Sequence, residues 1–421
     1  MIFLFLPVIF LILMFIGVPI AFVIGITSLI GISAVPGITI ITMPMKMFNG
    51  LNSFVLVAVP LFILAANIMN KGELSRKLID FSVALVGPIR GGLALSNVLV
   101  SMLFAGISGA SQADTAGIGK ILIPNMMRTG YDDKMSVGVT AASSTIGVII
   151  PPSIPMIIYA GLANTSVGAL FLAGIVPGLL IGLVMMAVVY LISIRKNIPK
   201  YKSSSLKEIF GLFLNTLPAL LTPVIIIGGI ITGIFTATEA AAIATLYALI
   251  VGFFVYKTIK MKDLPMILTD TLKLSCLSLF ALSTASALGE LLGYFELGLL
   301  VEKLFATYLN QPLLFLLIIV LFYLFIGTFM DSIPAMILFV PVILPTALRL
   351  GVDPLHLGII TVITLAIGLV TPPYGLCLLI ASSIAKLPIE KSFVAVLPYI
   401  SVEFFVLLLL VIYPQIIMIF R

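Results

Sequence analysis

Gly147-Val148-Ile149-Ile150-Pro151-Pro152 and Gly368-Leu369-Val370-Thr371-Pro372-Pro373 are two versions of one phrase, and their duplication decides the fold. What precedes them is duplicated as well. One copy carries Ser111-Gln112-Ala113-Asp114, then Ile123-Pro124 and Gly130-Tyr131-Asp132. The other carries Thr328-Phe329-Met330-Asp331, then Val340-Pro341 and Gly351-Val352-Asp353. In both copies the acid stands 10 residues before the first proline, and the second glycine 21 residues before the Pro-Pro pair. A four-residue insertion between Pro341 and Gly351 is the one break in register. Gly/Pro-interrupted apolar segments at matching places in two halves point to a transporter site built at the membrane midplane.

Composition agrees. With 62% hydrophobic and 9% charged residues and a mean hydropathy of +1.32, the chain does not read as a soluble domain. Apolar runs recur along its length, many long enough for a hydrocarbon layer of roughly 30 Å. The first, Ile2 to Leu29, exceeds a signal-peptide core and lacks a small-residue cleavage site, so it reads as a retained helix. A pI near 9.2 could suggest nucleic acid, but the basic residues sit mostly in short loops between spans, Lys120 and Lys273 within spans excepted, and read as topology determinants. Cys276 and Cys377 lie in apolar segments without metal-type spacing and read as core packers.

The expected path has helices near 2–32 and 51–70, a polar segment at 71–90, and a re-entrant hairpin at about 92–128. A helix at 135–164 broken at Pro151-Pro152 and a span at 169–194 complete a first half, 1–194. A cytoplasmic linker, 195–208, leads to the second half, 209–421. That half has spans near 209–234, 239–259 and 265–292, and a segment at 296–308. A second hairpin follows at about 311–349, then a helix at 355–384 broken at Pro372-Pro373 and a last span at 393–420. With the N-terminus inside, sixteen Lys/Arg fall on cytoplasmic connections and four, Lys46, Lys303, Arg349 and Arg421, outside. The hairpins then enter from opposite faces, so the repeats are inverted and the C-terminus is periplasmic. The fold class is an all-α polytopic membrane protein: inverted repeats with two re-entrant helical hairpins and two broken transmembrane helices.

Irregular backbone at mid-membrane is tolerated only against protein or an aqueous cavity. Proline removes an N–H and clashes one turn back, which frees carbonyls to coordinate a cation. Such oxygen-only ligation suits a hard ion like sodium. Helix N-termini at the same breaks favour an anion. A first sodium site is expected from Ser108, Gly109, Ser111, Gly147 and Ile150 with Asp114, and a second from Gly327, Thr328, Gly368, Val370 and Thr371 with Asp331. Ser153 and Thr371, with Ser108, Pro152 and Pro373, are expected at a substrate carboxylate.

Two roles fit Asp114 and Asp331. Ser111-x-x-Asp114 and Thr328-x-x-Asp331 resemble capping boxes, while acids within spans serve as counter-charges for cations. Thr236-Ala237-Thr238-Glu239 reads as a structural capping box, and His356 as a structural histidine at a helix start. The stretch Glu73 to Phe81 looks amphipathic, fit either for the interface plane or for packing on neighbouring spans.

These blocks resemble the large (M-type) membrane subunit of tripartite ATP-independent periplasmic (TRAP) transporters, essentially from end to end. The most specific are Gly106 to Asp114 through Gly130-Tyr131, Gly147 to Tyr159, Gly327 to Asp331, and Gly368 to Gly375. Ala237 stands where the family usually has proline, and Ala110 where it often has serine, so Ala110 is not counted as a ligand. The resemblance implies a sodium-driven importer of the bacterial inner membrane working as an elevator, with sodium as coupling ion and no other cofactor. It also implies a small four-helix membrane subunit and a soluble periplasmic substrate-binding protein as partners. The implied substrates are small organic carboxylates, including C4-dicarboxylates, keto acids and sialic acid, the last taken as the working expectation. A stand-alone proton- or sodium-coupled carboxylate symporter or antiporter of the same plan is the main alternative. A channel leaves the inverted hairpins without a role. An intramembrane aspartyl protease needs a proton-sharing acid pair and leaves the Pro-Pro breaks unexplained. No enzyme is expected.

Overall fold

Long apolar runs with no outlet for backbone hydrogen bonds except their own turns become helices, and among the described residues this chain is helical throughout. The computed structural model describes residues 2–71, 74–198, 200–201, 203–296, 303 and 311–420. The first half runs α1 (Ile2–Phe15), α2 (Ile20–Ala34), α3 (Thr42–Leu51), α4 (Ala58–Lys71), α5 (Leu74–Val86), α6 (Gly92–Ser108), α7 (Ser111–Arg128), α8 (Asp133–Ser144), α9 (Ile154–Ala163) and α10 (Val167–Arg195). The second runs α11 (Leu206–Ile231), α12 (Ala237–Ile250), α13 (Leu264–Tyr294), α14 (Pro312–Gly327), α15 (Ser332–Arg349), α16 (Pro354–Gly368), α17 (Leu376–Ala385) and α18 (Ile389–Ile412).

Seven helices among the described residues are long and apolar enough to cross a membrane: α4 with its 3-10 lead, α10, α11, α12 with a following π turn, α13, α15 and α18. The elements around the duplicated phrases are shorter. At 1.5 Å per residue, α8 reaches only ~18 Å and α9 only ~15 Å. They are joined by a 3-10 turn, Thr145–Val148, and the cis Pro151–Pro152 bond; α16 and α17 flank the cis Pro372–Pro373 bond in the same way.

Packing repeats the duplication. α2 packs on α13 and α12 on α4; α7 packs on α17 and α15 on α9; α8 packs on α18 and α16 on α10. Each of these contacts thus has a counterpart with the halves exchanged. Within the first half, Asn97 Nδ2 donates to Thr140 Oγ1 (2.5 Å) and Ser101 Oγ to Ser143 Oγ (3.0 Å), binding α6 to α8 through small polar side chains.

Several expectations change. The run 2–32 is two helices, parted at Ile16 to Pro19, where Gly17 has φ +89° and Pro19 precedes α2. The amphipathic α3 was not anticipated; it lies on α13, with Lys46 Nζ 2.8 Å from Glu290 Oε2. The polar segment 71–90 holds α5, whose buried face packs on α6 and α11, so this amphipathic stretch is covered by protein. Residues of the linker 195–208 are strapped down: Tyr201 N donates to Gly87 O (3.0 Å), and Arg90 pairs with Lys200 as an isolated antiparallel bridge. Cys377 is buried, but Cys276 is exposed rather than a core packer. Apart from Lys303, the segment expected at 296–308 lies almost wholly outside the described residues. Thr236 and Glu239 do form a capping box at α12, and His356 Nε2 lies 2.9 Å from Leu410 O, fastening α16 to α18.

Candidate functional site

Only Gly109 and Ala110 part α6 from α7, whereas the four residues Thr328 to Asp331 part α14 from α15. The same contact recurs in both halves. Gly109 O accepts from Ile154 N (3.4 Å) and Thr328 O from Tyr374 N (2.9 Å), so the turn in each half is bonded to the residues just after its own Pro-Pro pair.

In the first cluster Ser108 Oγ donates to Asp114 Oδ1, and Ser111 Oγ donates to Thr145 O (3.4 Å). Asp114 is fully buried, and its Oδ2 has no hydrogen-bond partner. That oxygen lies against Gly147, close enough that a Cβ there would overlap it. An anionic oxygen left unpaired out of water is expensive unless a cation or proton meets it. Asp114 is therefore no partner in a capping box: Ala110 is the N-cap of α7 and offers no side-chain cap. Ile150 is half-buried, its side chain against Gly178.

The second cluster differs in detail. Asp331 is itself the N-cap of α15, Oδ1 accepting from Ser332 N (2.6 Å), so its cap is direct and Thr328 takes no part in it. Thr328 Oγ1 donates instead to Phe325 O (2.7 Å). Gly327 and Gly368 bring two backbones together: a Cβ at Gly368 would stand 2.7 Å from Gly327 O. Thr371 Oγ1 donates to Ile367 O (2.8 Å), while Val370 is buried beside it.

A cavity of about 550 Å³ lies between these clusters. It is walled on one side by α4 and α13, and on the other by the first residues of four helices: Gln112 and Ala113 of α7, Ile154 and Pro155 of α9, Ser332 and Ile333 of α15, and Leu376 of α17. Its polar lining includes Asn67, Asn70, Ser108, Gln112, Asp331, Ser332 and Tyr374, with no lysine or arginine. Ser332 Oγ is buried and unpartnered. Among the residues expected at substrate, Ser108 lines this cavity and Pro152, Ser153, Thr371 and Pro373 do not. Ser153 is occupied elsewhere, donating to Val148 O (2.6 Å) and capping Met156 N (3.3 Å) at the start of α9.

Sequence reasoning passed over Gln112, Ser332 and Tyr374, each adjacent to a motif residue, and the amides Asn67 and Asn70 one turn apart on α4. It also passed over Glu403 on α18, fully buried, with Oε1 2.7 Å from Thr145 Oγ1 and Oε2 unpartnered. No lysine or arginine pairs with Asp114, Asp331 or Glu403 among the described residues.

The family model for the tripartite ATP-independent periplasmic transporter, DctM component, matches residues 7–416. The chain is 38% identical over 375 residues to the C4-dicarboxylate TRAP transporter large permease protein of Pseudomonas aeruginosa, covering 89% of this chain and 88% of that one. It is 37% identical over 403 residues to the sialic acid TRAP transporter large permease protein of Vibrio cholerae, covering 96% and 94%. In fold it is similar to the YdaH transporter of Alcanivorax borkumensis, with a TM-score of 0.61 at 16% identity over 89% of this chain and 88% of that chain.

Proposed function

The chain belongs to the DctM-component family of TRAP transporters, and on that premise we propose that it is the permease for sodium-coupled, binding-protein-dependent uptake of a small organic carboxylate. It is a multi-pass membrane transporter and not an enzyme. The observation that carries the proposal is the cavity on which four helix N-termini converge. Each such end carries a positive dipole, and together they favour an anion where no basic side chain stands, although at α9 the Ile154 and Met156 N–H groups are already bonded and Pro155 has none.

Buried Asp114 and half-buried Asp331 flank the same space, and sodium bound beside each would balance its charge, so that the substrate anion would meet no net negative charge there. The first ion would use Ser108, Gly109, Ser111, Gly147 and Ile150; the second Gly327, Thr328, Gly368, Val370 and Thr371. Ser332 Oγ, the Gln112 amide and Asn67 are the groups best placed to orient the carboxylate. Relatives named for C4-dicarboxylates and for sialic acid are almost equally similar, so the substrate is assigned by class.

Because α4 and α13 face the four helix starts across the cavity, substrate would be held between two bodies. Residues 92–164 and 311–384 would slide as a unit against the remaining helices, as an elevator of two inverted halves, 1–194 and 209–421, joined by 195–208. The hairpins would enter a bacterial inner membrane from opposite faces, with the N-terminus cytoplasmic and the C-terminus periplasmic. A small four-helix subunit would brace the fixed body, and a periplasmic protein would deliver substrate.

Reconstituted uptake tests this reading. Proteoliposomes holding the permease and its small subunit should accumulate a labelled C4-dicarboxylate or sialic acid only with an inward sodium gradient and the cognate binding protein. Uptake that is indifferent to sodium, or that proceeds without binding protein, would leave the stand-alone carrier as the function.

A further inference from the structure

Glu403 is a third acid near Asp114 and Asp331, and the one of these three without a place in the duplicated motifs. It sits in the middle of α18, fully buried, and its neighbourhood overlaps that of the other two: Cys377 lies within electrostatic reach of Asp331, Asp114 and Glu403 alike. Its contact is with Thr145, the first residue of the turn that carries Gly147.

Thr145 Oγ1 lies 2.6 Å from Ala142 O and 2.7 Å from Glu403 Oε1. Both are lengths of full O–H···O bonds. A threonine hydroxyl has one proton, and a backbone carbonyl has none to give. If the hydroxyl donates to Ala142 O, the proton in the second bond comes from Glu403. Oε2 is buried without a partner, as is Asp114 Oδ2, so it is the proton count at the bonded oxygen that separates the two acids. Asp114 shows no such surplus: Ser108 supplies the one proton its Oδ1 contact needs, and Oδ2 stays open toward Gly147.

We propose that Glu403 is kept as a neutral carboxylic acid that donates to Thr145, positioning the first cation site without adding to its charge. The path is short. The Glu403 bond ties the turn Thr145–Val148 to α18; Thr145 O accepts from Ser111 Oγ (3.4 Å), and Gly147 in the same turn backs Asp114. Loosening Thr145 shifts the carbonyls and the serine that would hold the ion. This inference rests on the sodium reading above and deepens it: two charged acids remain for two ions, and the third acid drops out of the balance.

Glu403→Gln keeps a neutral donor and acceptor of the same shape, and Glu403→Ala removes both. Half-saturating sodium for uptake should stay within about twofold of the unsubstituted protein in Glu403→Gln and rise at least fivefold in Glu403→Ala. Infrared difference spectra of unsubstituted minus Glu403→Gln protein at neutral pH should show a protonated-carboxyl C=O band. Impairment of Glu403→Gln equal to that of Glu403→Ala would mean that charge is required, and unchanged sodium dependence in Glu403→Ala would remove the positioning role; either overturns the inference. So does absence of the infrared band, which decides the matter even if Glu403→Ala does not fold. Should the unsubstituted protein prove indifferent to sodium, the transport reading fails by that result, while the infrared band still judges Glu403.

Discussion

Gln112 on α7 reaches across the molecule to Asp331 ahead of α15, its Nε2 lying 3.4 Å from Oδ1 and 3.3 Å from Oδ2. The two residues belong to opposite halves of the chain. A neutral amide is a polar partner of this carboxylate, which pairs with no lysine or arginine among the described residues, and both line the cavity. The second cluster is thereby fastened to the first helix pair through a bond that leaves its negative charge uncompensated.

Asp331→Asn tests that charge. Asparagine keeps the size and one oxygen, which can accept from the Ser332 N–H and from Gln112 as Asp331 Oδ1 does. Two unit charges 4 Å apart gain only about 1 kcal/mol in water and several in a desolvated site. Uptake should therefore fall and half-saturating sodium rise about tenfold or more, with the protein still folded. Measuring uptake against sodium concentration checks this; an unchanged curve would leave Asp331 as a helix cap and nothing more.

Ser332 and Ser153 separate binding from folding. Ser332 Oγ is buried and unpartnered at the cavity wall, so Ser332→Ala should raise half-saturating substrate about threefold to tenfold, equal to about 0.7–1.4 kcal/mol, and leave sodium dependence alone. Ser153 caps α9, and Ser153→Ala should instead lower stability by about 1 kcal/mol with little change in apparent substrate affinity. Titrating uptake with substrate, beside thermal unfolding of each variant, distinguishes the two. If Ser153→Ala weakens substrate and Ser332→Ala does not, the carboxylate belongs at the Pro-Pro break after all.

Around the duplicated phrases helices stop and restart, between Ser144 and Ile154 and between Gly368 and Leu376, because Gly and Pro at fixed spacing act locally. Side-chain commitments were not legible. Thr371 and Ser153 were expected at substrate, yet their hydroxyls satisfy Ile367 O and Val148 O, which an apolar sequence gives no means of foreseeing. Asp114 and Asp331 look equivalent in sequence, but α7 starts ahead of its acid and α15 after its own, so only the second acid is a cap. Glu403 lies outside the duplicated motifs, where no spacing marks it. A lone acid in the apolar run of α18 was itself a sufficient signal.

Asp132 offers a stability test away from the cavity. It caps α8 by accepting from Met135 N (2.5 Å) and pairs with Lys196 Nζ (2.6 Å) at the end of α10. Burial disfavours its charge, but the Lys196 and Met135 bonds and the charges of Lys196 and Lys134 together hold its pKa below the ordinary 3.8. A carboxylate more acidic in the fold than in the unfolded chain stabilises fully above that ordinary value. The contribution fades as pH falls through the lower folded value, so neutral and mildly acidic stability should not change through this group. Asp132→Ala should cost about 1 kcal/mol, chiefly the cap. Lys196→Ala should cost under about 0.5 kcal/mol, since the ion pair is solvent-exposed and screened. Thermal unfolding in detergent checks the order, and a larger loss in Lys196→Ala would reverse it.

Leu288 on α13 and Leu338 on α15 both line an apolar cavity of about 480 Å³, α13 belonging to the proposed fixed body and α15 to the proposed moving one. An apolar surface between two bodies permits sliding because it leaves no buried hydrogen bond to break. Cysteines at Leu288 and Leu338, joined by a short bifunctional thiol reagent, should stop uptake. A second pair on α7 and α17, which pack together inside the moving body, should leave it largely intact when joined. Complete crosslinking of the first pair with uptake preserved would mean that these bodies do not slide past each other, and alternating access would have to come from local opening around the cavity.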